Sequence, residues 1–140
     1  MKVAVAICAI TLWAGIAPAA TPTATAEVAS AESAARAWLG LVDAGNYAKS
    51  WSGASSVFRQ KVSESQWESA AASARASFGA FKSRTLQSAT PRSALPGAPD
   101  GQYVVIQFAS SFEHKASAIE TVTPMMDTDG NWHVSGYYIK

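Results

Sequence analysis

The chain has 140 residues, 49% of them hydrophobic, with eleven basic residues against ten acidic ones. That is enough for one compact domain and too short for two with independent cores. A charge balance this even, with no basic cluster, lacks the electrostatic footprint of a nucleic-acid binder.

Met1 and Lys2 precede VAVAICAITLWAGIAPAA, an uncharged apolar run that ends in small residues with Ala17-Pro18-Ala19 as an A-x-A match. This is the layout of a secretory signal peptide over residues 1–20. The run is shorter than the roughly 20 residues of a membrane span. Cleavage is expected after Ala19, Ala20 or the later Ala24-Thr25-Ala26, and the lack of paired arginines points to the general secretion route. An exported protein, periplasmic or extracellular and free of the membrane once the leader is gone, is the expectation. Cys8, the only cysteine, leaves with the leader, so the mature protein forms no disulfide. Ile7 before it and its early position argue against a lipid anchor. Lys2 is the leader's only charge, so ten basic residues then face ten acidic ones. Neither Asn46 nor Asn131 lies in an N-x-S/T acceptor.

Residues 21–28, TPTATAEV, are small, polar and broken by Pro22, and read as a flexible lead-in to a single domain over residues 29–140. Ser30 caps a predicted helix that Gly45 ends, with Ala31, Ala34, Trp38, Leu41 and Val42 at helical spacing and Glu32–Arg36 as an outer i,i+4 pair. Residues 46–52 predict a second short helix with Tyr47 and Trp51 on one face. Residues 55–62 form a turn or helical piece around Phe58. Ser63, with Gln66 three residues on, is a capping box for a helix that stops at Gly79 and turns Trp67, Ala71, Ala74 and Phe78 inward.

Beyond Gly79 the period changes to that of strands. Residues 81–90 form a strand, and SALPGAPDG at 93–101 is a loop set by its prolines and glycines. Residues 103–112 alternate most clearly, with Val104, Ile106, Phe108 and Phe112 on one face. Residues 118–126 and 132–139 make a hairpin across Asp127-Thr128-Asp129-Gly130-Asn131. Trp132, Val134 and Tyr138 are expected to face the helices, with Gly136 relieving crowding or allowing a bulge. Helices first and an antiparallel meander of about four strands after them is an α+β arrangement, with the helices packed on a curved sheet.

The stretches AWLGLVDAGNYAKSW, VSESQWESA, LPGAPDGQYVVIQF and SAIETVTPMMDTDGNWHVSGYYIK resemble the bacterial family called domain of unknown function 4019, over about residues 29–140. No activity is implied by that likeness. The element order and the D-G-x-W-x-V-x-G-Y ending also resemble nuclear transport factor 2-like domains. Such domains imply a cone-shaped α+β fold with a pocket between helix and sheet. Pro124 departs from a regular inner strand, because it cannot donate a ladder hydrogen bond.

Few residues carry chemistry. The acidic turn at 127–131 lacks the later ligands of an EF-hand, whose twelfth position is Tyr138 here, so it reads as a turn. His114 and His133 lack metal-ligand spacing and read as surface residues. No G-x-S-x-G, phosphate loop or cofactor motif is present, so no metal and no cofactor are expected. Glu120 shares a strand face with Val122, Pro124 and Met126. Either it begins the strand and reaches water, or it lies in a pocket where desolvation makes it a general base. Tyr47, Trp51 and Phe58 come from the least regular segment and are the candidates for a ligand pocket's mouth.

The leading expectation is a non-enzymatic exported module that binds a small apolar ligand or an envelope protein. An enzyme of the ketosteroid isomerase or dehydratase type is the alternative, as the resemblance to nuclear transport factor 2-like domains implies. It would take Glu120 or Asp43 as candidate base and Tyr47 or Tyr103 as hydrogen-bond donor. A third reading is an assembly domain that forms a homodimer through its sheet.

Overall fold

The computed structural model describes residues 22–140. Four helices, α1 (Pro22–Asp43), α2 (Tyr47–Ser52), α3 (Ser56–Lys61) and α4 (Glu64–Phe78), precede four strands, β1 (Phe81–Arg92), β2 (Tyr103–Phe112), β3 (Lys115–Met126) and β4 (Trp132–Ile139). The strands form one open antiparallel sheet in sequence order, the α+β arrangement expected from the change of period. The leader, Cys8 and the cleavage positions at Ala19 and Ala20 lie outside the described residues.

Helix α1 begins eight residues before Ser30, so the lead-in is helical from Pro22 and Ser30 is an interior residue, not a cap. Proline suits a helix's first turn, where its missing N–H has no partner to lose. Val28 also packs on the core, which gives this first stretch a reason to continue the helix. Ala31, Ala35, Trp38, Leu39 and Val42 form the buried stripe, so Leu39 rather than Leu41 is the inward leucine. Helix α4 carries the expected capping box: the Ser63 N–H donates to Gln66 Oε1 at 3.0 Å and the Gln66 N–H to Ser63 Oγ at 3.3 Å. Gly79 then ends α4 at φ +78°, where an added Cβ would lie 2.7 Å from the His114 ring and 2.9 Å from Glu113 Cβ.

The helices cover one sheet face. Trp38, Phe58, Trp67 and Tyr137 form an aromatic centre, with ring centroids 5.4–6.1 Å apart. Ser50 is the polar hub beneath them: its carbonyl accepts from Trp38 Nε1 and its hydroxyl from Trp67 Nε1, both at 2.8 Å. Both indoles are thus buried without an orphaned N–H.

Strand β4 changes phase midway. Pro124 pairs with Val134 and Thr123 with Gly136, so Ser135 is an extra, unpaired residue. Tyr137 therefore turns inward and Tyr138 outward, with Tyr138 61% exposed, a correction to simple alternation. The irregularity also accommodates Pro124 on an inner strand, and Ser135 Oγ donates to the Thr123 carbonyl at 2.8 Å. Gly136 stands beside this bulge but relieves no crowding, since a Cβ there would meet Thr123 at 3.8 Å, ordinary contact.

Candidate functional site

The strongest concentration of chemistry lies under one end of the sheet. Trp67, Ala71 and Arg75 recur every fourth residue and are the buried residues of α4, so helical spacing carries Arg75 inward behind the tryptophan. Asp43 ends α1 and projects beside it. Arg84 of β1 pairs with Ser110, and Ser110 with Ala118, which sets Arg84, Ser110 and Glu120 close together on the inner sheet face.

These groups close into a ring of alternating charge. Arg75 Nη1 lies 2.8 Å from Asp43 Oδ1 and Arg75 Nη2 3.3 Å from Glu120 Oε2. Arg84 reaches Asp43 Oδ2 at 2.9 Å through Nη1, and Glu120 Oε1 at 2.8 Å through both Nε and Nη2. Ser110 Oγ donates to Glu120 Oε1 at 2.5 Å and the Tyr137 hydroxyl to Oε2 at 2.6 Å. Aromatic faces wall the cations: Arg75 lies 4.9 Å from the Phe112 centroid and Arg84 4.3 Å from that of Phe81.

Glu120 is 0% exposed, so it does not reach water at a strand end. Strand β3 starts five residues before it, and residue 120 is an interior position opposite Phe108 and Ile139. A carboxylate offers about four lone-pair sites, and here both oxygens are occupied by donors. Burial, then the charge of Glu120, pushes the Tyr137 phenol far above its ordinary value, which keeps it a donor. Burial alone would lower Arg84, but its hydrogen bonds to Asp43 and Glu120 and their charges outweigh that and raise it. The ring is therefore two fixed positive charges against two carboxylates, and one polar atom in it, Arg75 Nε, has no protein partner.

Two concave surfaces flank this core. At the ionic end, an open groove of about 410 Å³ is lined by Asp43, Tyr47, Ala72, Arg75, Ala76 and Phe81 among others. At the other end, a smaller groove of about 260 Å³ runs between the first turns of α1 and the sheet. Ala24 and Val28 form one wall, Pro91, Tyr103, Val104 and Trp132 the other, and Glu27, Arg92 and Gln102 the polar rim.

The residues expected at a pocket mouth, Tyr47, Trp51 and Phe58, lie on α2 and α3 and belong to or pack against one core cluster. Phe58 is buried edge-on against Trp67, and Trp51 donates its indole N–H to the Val62 carbonyl at 2.8 Å. Tyr47 lines the groove at the ionic end. Tyr103, a proposed donor, is buried at the other end and donates to the Pro99 carbonyl at 2.5 Å. It does not meet Glu120 or Asp43. Sequence reasoning missed Arg75 and Arg84. The available signal was an acid on an apolar strand face together with arginines at inward helix and strand positions, since a buried carboxylate requires partners.

The second polar junction binds the β3–β4 turn to the loop between α2 and α3. Asp127 Oδ2 accepts from the Ser56 N–H and Oδ1 from the Ser56 hydroxyl, both at 2.7 Å, while the Ser55 N–H donates to the Val134 carbonyl at 2.9 Å. The bonds from Ser56 hold the Asp127 carboxyl below its usual range. His133 places Nε2 2.7 Å from Asp129 Oδ2 and Nδ1 3.1 Å from the Gly53 carbonyl. His133 is thus not a solitary surface histidine, although it faces away from the core side as alternation implies.

Among the described residues no group of three or more histidine, cysteine or acidic side chains is placed to hold a metal, and no helix is long and apolar enough to cross a membrane. No curated protein and no solved structure matches the chain, so the likeness to nuclear transport factor 2-like domains rests on element order and the hairpin pattern alone. The model of the family described as "Protein of unknown function (DUF4019)" matches residues 34–137, which span Asp43, Arg75, Arg84, Glu120 and Tyr137, and the chain belongs to that family.

Proposed function

We propose that the protein is an exported, non-enzymatic binding module of the cell envelope that holds a small apolar ligand between α1 and the sheet. The groove walled by Val28, Tyr103, Val104 and Trp132 carries this reading. It joins apolar walls to a sparse polar rim, the usual composition of a small-molecule site. The saturation of Glu120 favours binding over catalysis. A general base must offer a free lone pair within reach of the substrate's proton, and Ser110, Tyr137, Arg75 and Arg84 occupy those of Glu120. Asp43 is held by both arginines, so the isomerase-like alternative has weaker support.

Native mass spectrometry of the gently purified mature protein, set against its denatured mass, tests the reading. Extra mass released on denaturation, and lost in Val28→Trp, which fills the groove from a partly buried helix position that every expected cleavage leaves in the mature chain, is the expected result. A bare native mass, or extra mass indifferent to Val28→Trp, overturns it.

A second reading, self-association through the outer sheet face, has its own observation. Register places Val105, Gln107, Ala109, Thr121, Thr123 and Tyr138 on that face, and among the described residues its middle strands present no charged side chain there. In a twofold interface each charge near the axis meets its own copy, so an uncharged face suits such pairing. Sedimentation of wild type against Thr121→Lys is the test: a dimer dispersed by the lysine supports it, and a monomer at all concentrations refutes it.

A further inference from the structure

The junction at His133 has a property that its neighbours lack. Both ring nitrogens face obligate acceptors, the Asp129 carboxylate at 2.7 Å and the Gly53 carbonyl at 3.1 Å. Neither acceptor has a proton to give, so only an imidazolium, with an N–H on each nitrogen, satisfies both contacts. A neutral ring keeps one proton. The carboxylate is the stronger acceptor and retains it on Nε2, which turns the Nδ1 lone pair toward the Gly53 oxygen.

We propose that His133 is a proton-dependent clasp between the β3–β4 turn and the α2–α3 loop, closed by its imidazolium and opened on the Gly53 side when the ring becomes neutral. Its site joins two segments outside the regular elements, the β3–β4 turn and the α2–α3 loop. Gly53 closes α2, and two residues later Ser55 lies along the free edge of β4 through its bond to the Val134 carbonyl. The charges acting on the ring are Asp129 and Asp127, both from the turn, while the loop contributes the Gly53 carbonyl. Partial burial alone would favour the neutral ring, but the bonds to Asp129 and Gly53 and the two acidic charges prevail and raise the histidine above its ordinary 6.5. Asp129 is held down to about 2, chiefly by its bond to His133. The clasp is thus closed across the mildly acidic range and opens as pH rises through the raised histidine value.

Opening has a direction in space. Gly130 and Asn131 of the same turn and Trp132, which begins β4, line an open groove of about 420 Å³ against Ala26, Glu27 and Ser30 of α1. Trp132 and Glu27 also belong to the apolar groove described above. Loss of one proton at His133 therefore loosens a wall shared by both grooves, whether or not either holds a ligand.

Amide hydrogen exchange read by NMR, corrected for the intrinsic effect of pH, tests the clasp at Ser55 and Ser56, whose N–H groups bond across the junction. Protection at these two amides is expected to fall about five- to tenfold between acidic and alkaline solution, the equilibrium equivalent of one net hydrogen bond. His133→Gln, which carries no titrating ring, should abolish that pH dependence. Asp129→Asn should move it to lower pH, as removal of the acidic partner lowers the histidine. Nitrogen shifts of the His133 ring should show both nitrogens protonated at the acidic end. Equal protection at both ends of the range overturns the clasp. So does a pH dependence that survives in His133→Gln, or a ring that is neutral where the junction is closed.

Discussion

The two ends of the sheet are fastened to the helices by charge in opposite ways. At one end Asp43, Arg75, Arg84 and Glu120 close a ring walled by aromatic faces, with Glu120 fully buried. At the other, Asp127, Asp129 and His133 hold the hairpin turn beside solvent. Burial sets what each can do. Charges withdrawn from water cannot be separated without a large loss, so the ring is a fixed joint. Charges left near water exchange protons at little cost, so the turn is an adjustable one.

The largest expected effect breaks the fixed joint. Glu120→Ala leaves two arginines facing one carboxylate in a dry site and should destabilise the domain by about 3–5 kcal/mol, read as a fall in the denaturant midpoint. Asp43→Asn should lose less, because Asp43 keeps 15% exposure and water can partly replace it. Gly79→Ala acts beside the same joint: positive φ and the 2.7 Å contact with His114 together should cost about 1–3 kcal/mol. Ser63→Ala removes the capping box of the helix that carries Arg75 and should cost about 1 kcal/mol in the same melt.

The smallest effects belong to the wet end, and their dependence on conditions sharpens the contrast. His133 has a folded value raised above 6.5, so its contribution is complete below 6.5 and disappears as pH rises through the raised value. Asp129, depressed to about 2, contributes above its ordinary 3.8 and loses that as pH falls through about 2. The difference in Tm between wild type and His133→Gln should therefore be greatest between those limits. Concentrated salt should shrink it, while leaving the loss in Glu120→Ala nearly unchanged, because screening acts on charges that solvent reaches.

Much of the architecture was legible because it is local. The capping box at Ser63 and Gln66, the stop at Gly79 and the alternation of residues 103–112 each follow from neighbours in sequence, and the structure places all three as expected. The α1 start was misread because Pro22 and the small residues after it look flexible without the contact that Val28 makes with the core. The ionic ring was illegible for a different reason. Its members come from α1, α4, β1 and β3, so no spacing rule joins them. Glu120 alone stood out, as an acid on an apolar face, and the choice between a wet end and a buried site depended on partners 36 and 45 residues away. Phe58 shows the converse: an aromatic in a segment of weak periodicity resembles a pocket wall when its T-shaped contact with Trp67, nine residues away in sequence, is out of sight.

Ser135 makes the length of β4 negotiable at a single place. The pairs on either side of it, Val134 with Pro124 and Gly136 with Thr123, are already consecutive on β3, so deleting Ser135 keeps the flanking register and leaves Tyr137 directed toward Glu120, at the cost of the irregularity beside Pro124 and of the bond to the Thr123 carbonyl. Deletion of Tyr137 has no such slack: it would carry Tyr138 into its place, draw the C-terminus one step inward, and shift the end of the sheet against Ile119. Tolerance to insertion and deletion in this strand is confined to the residue that the ladder does not count.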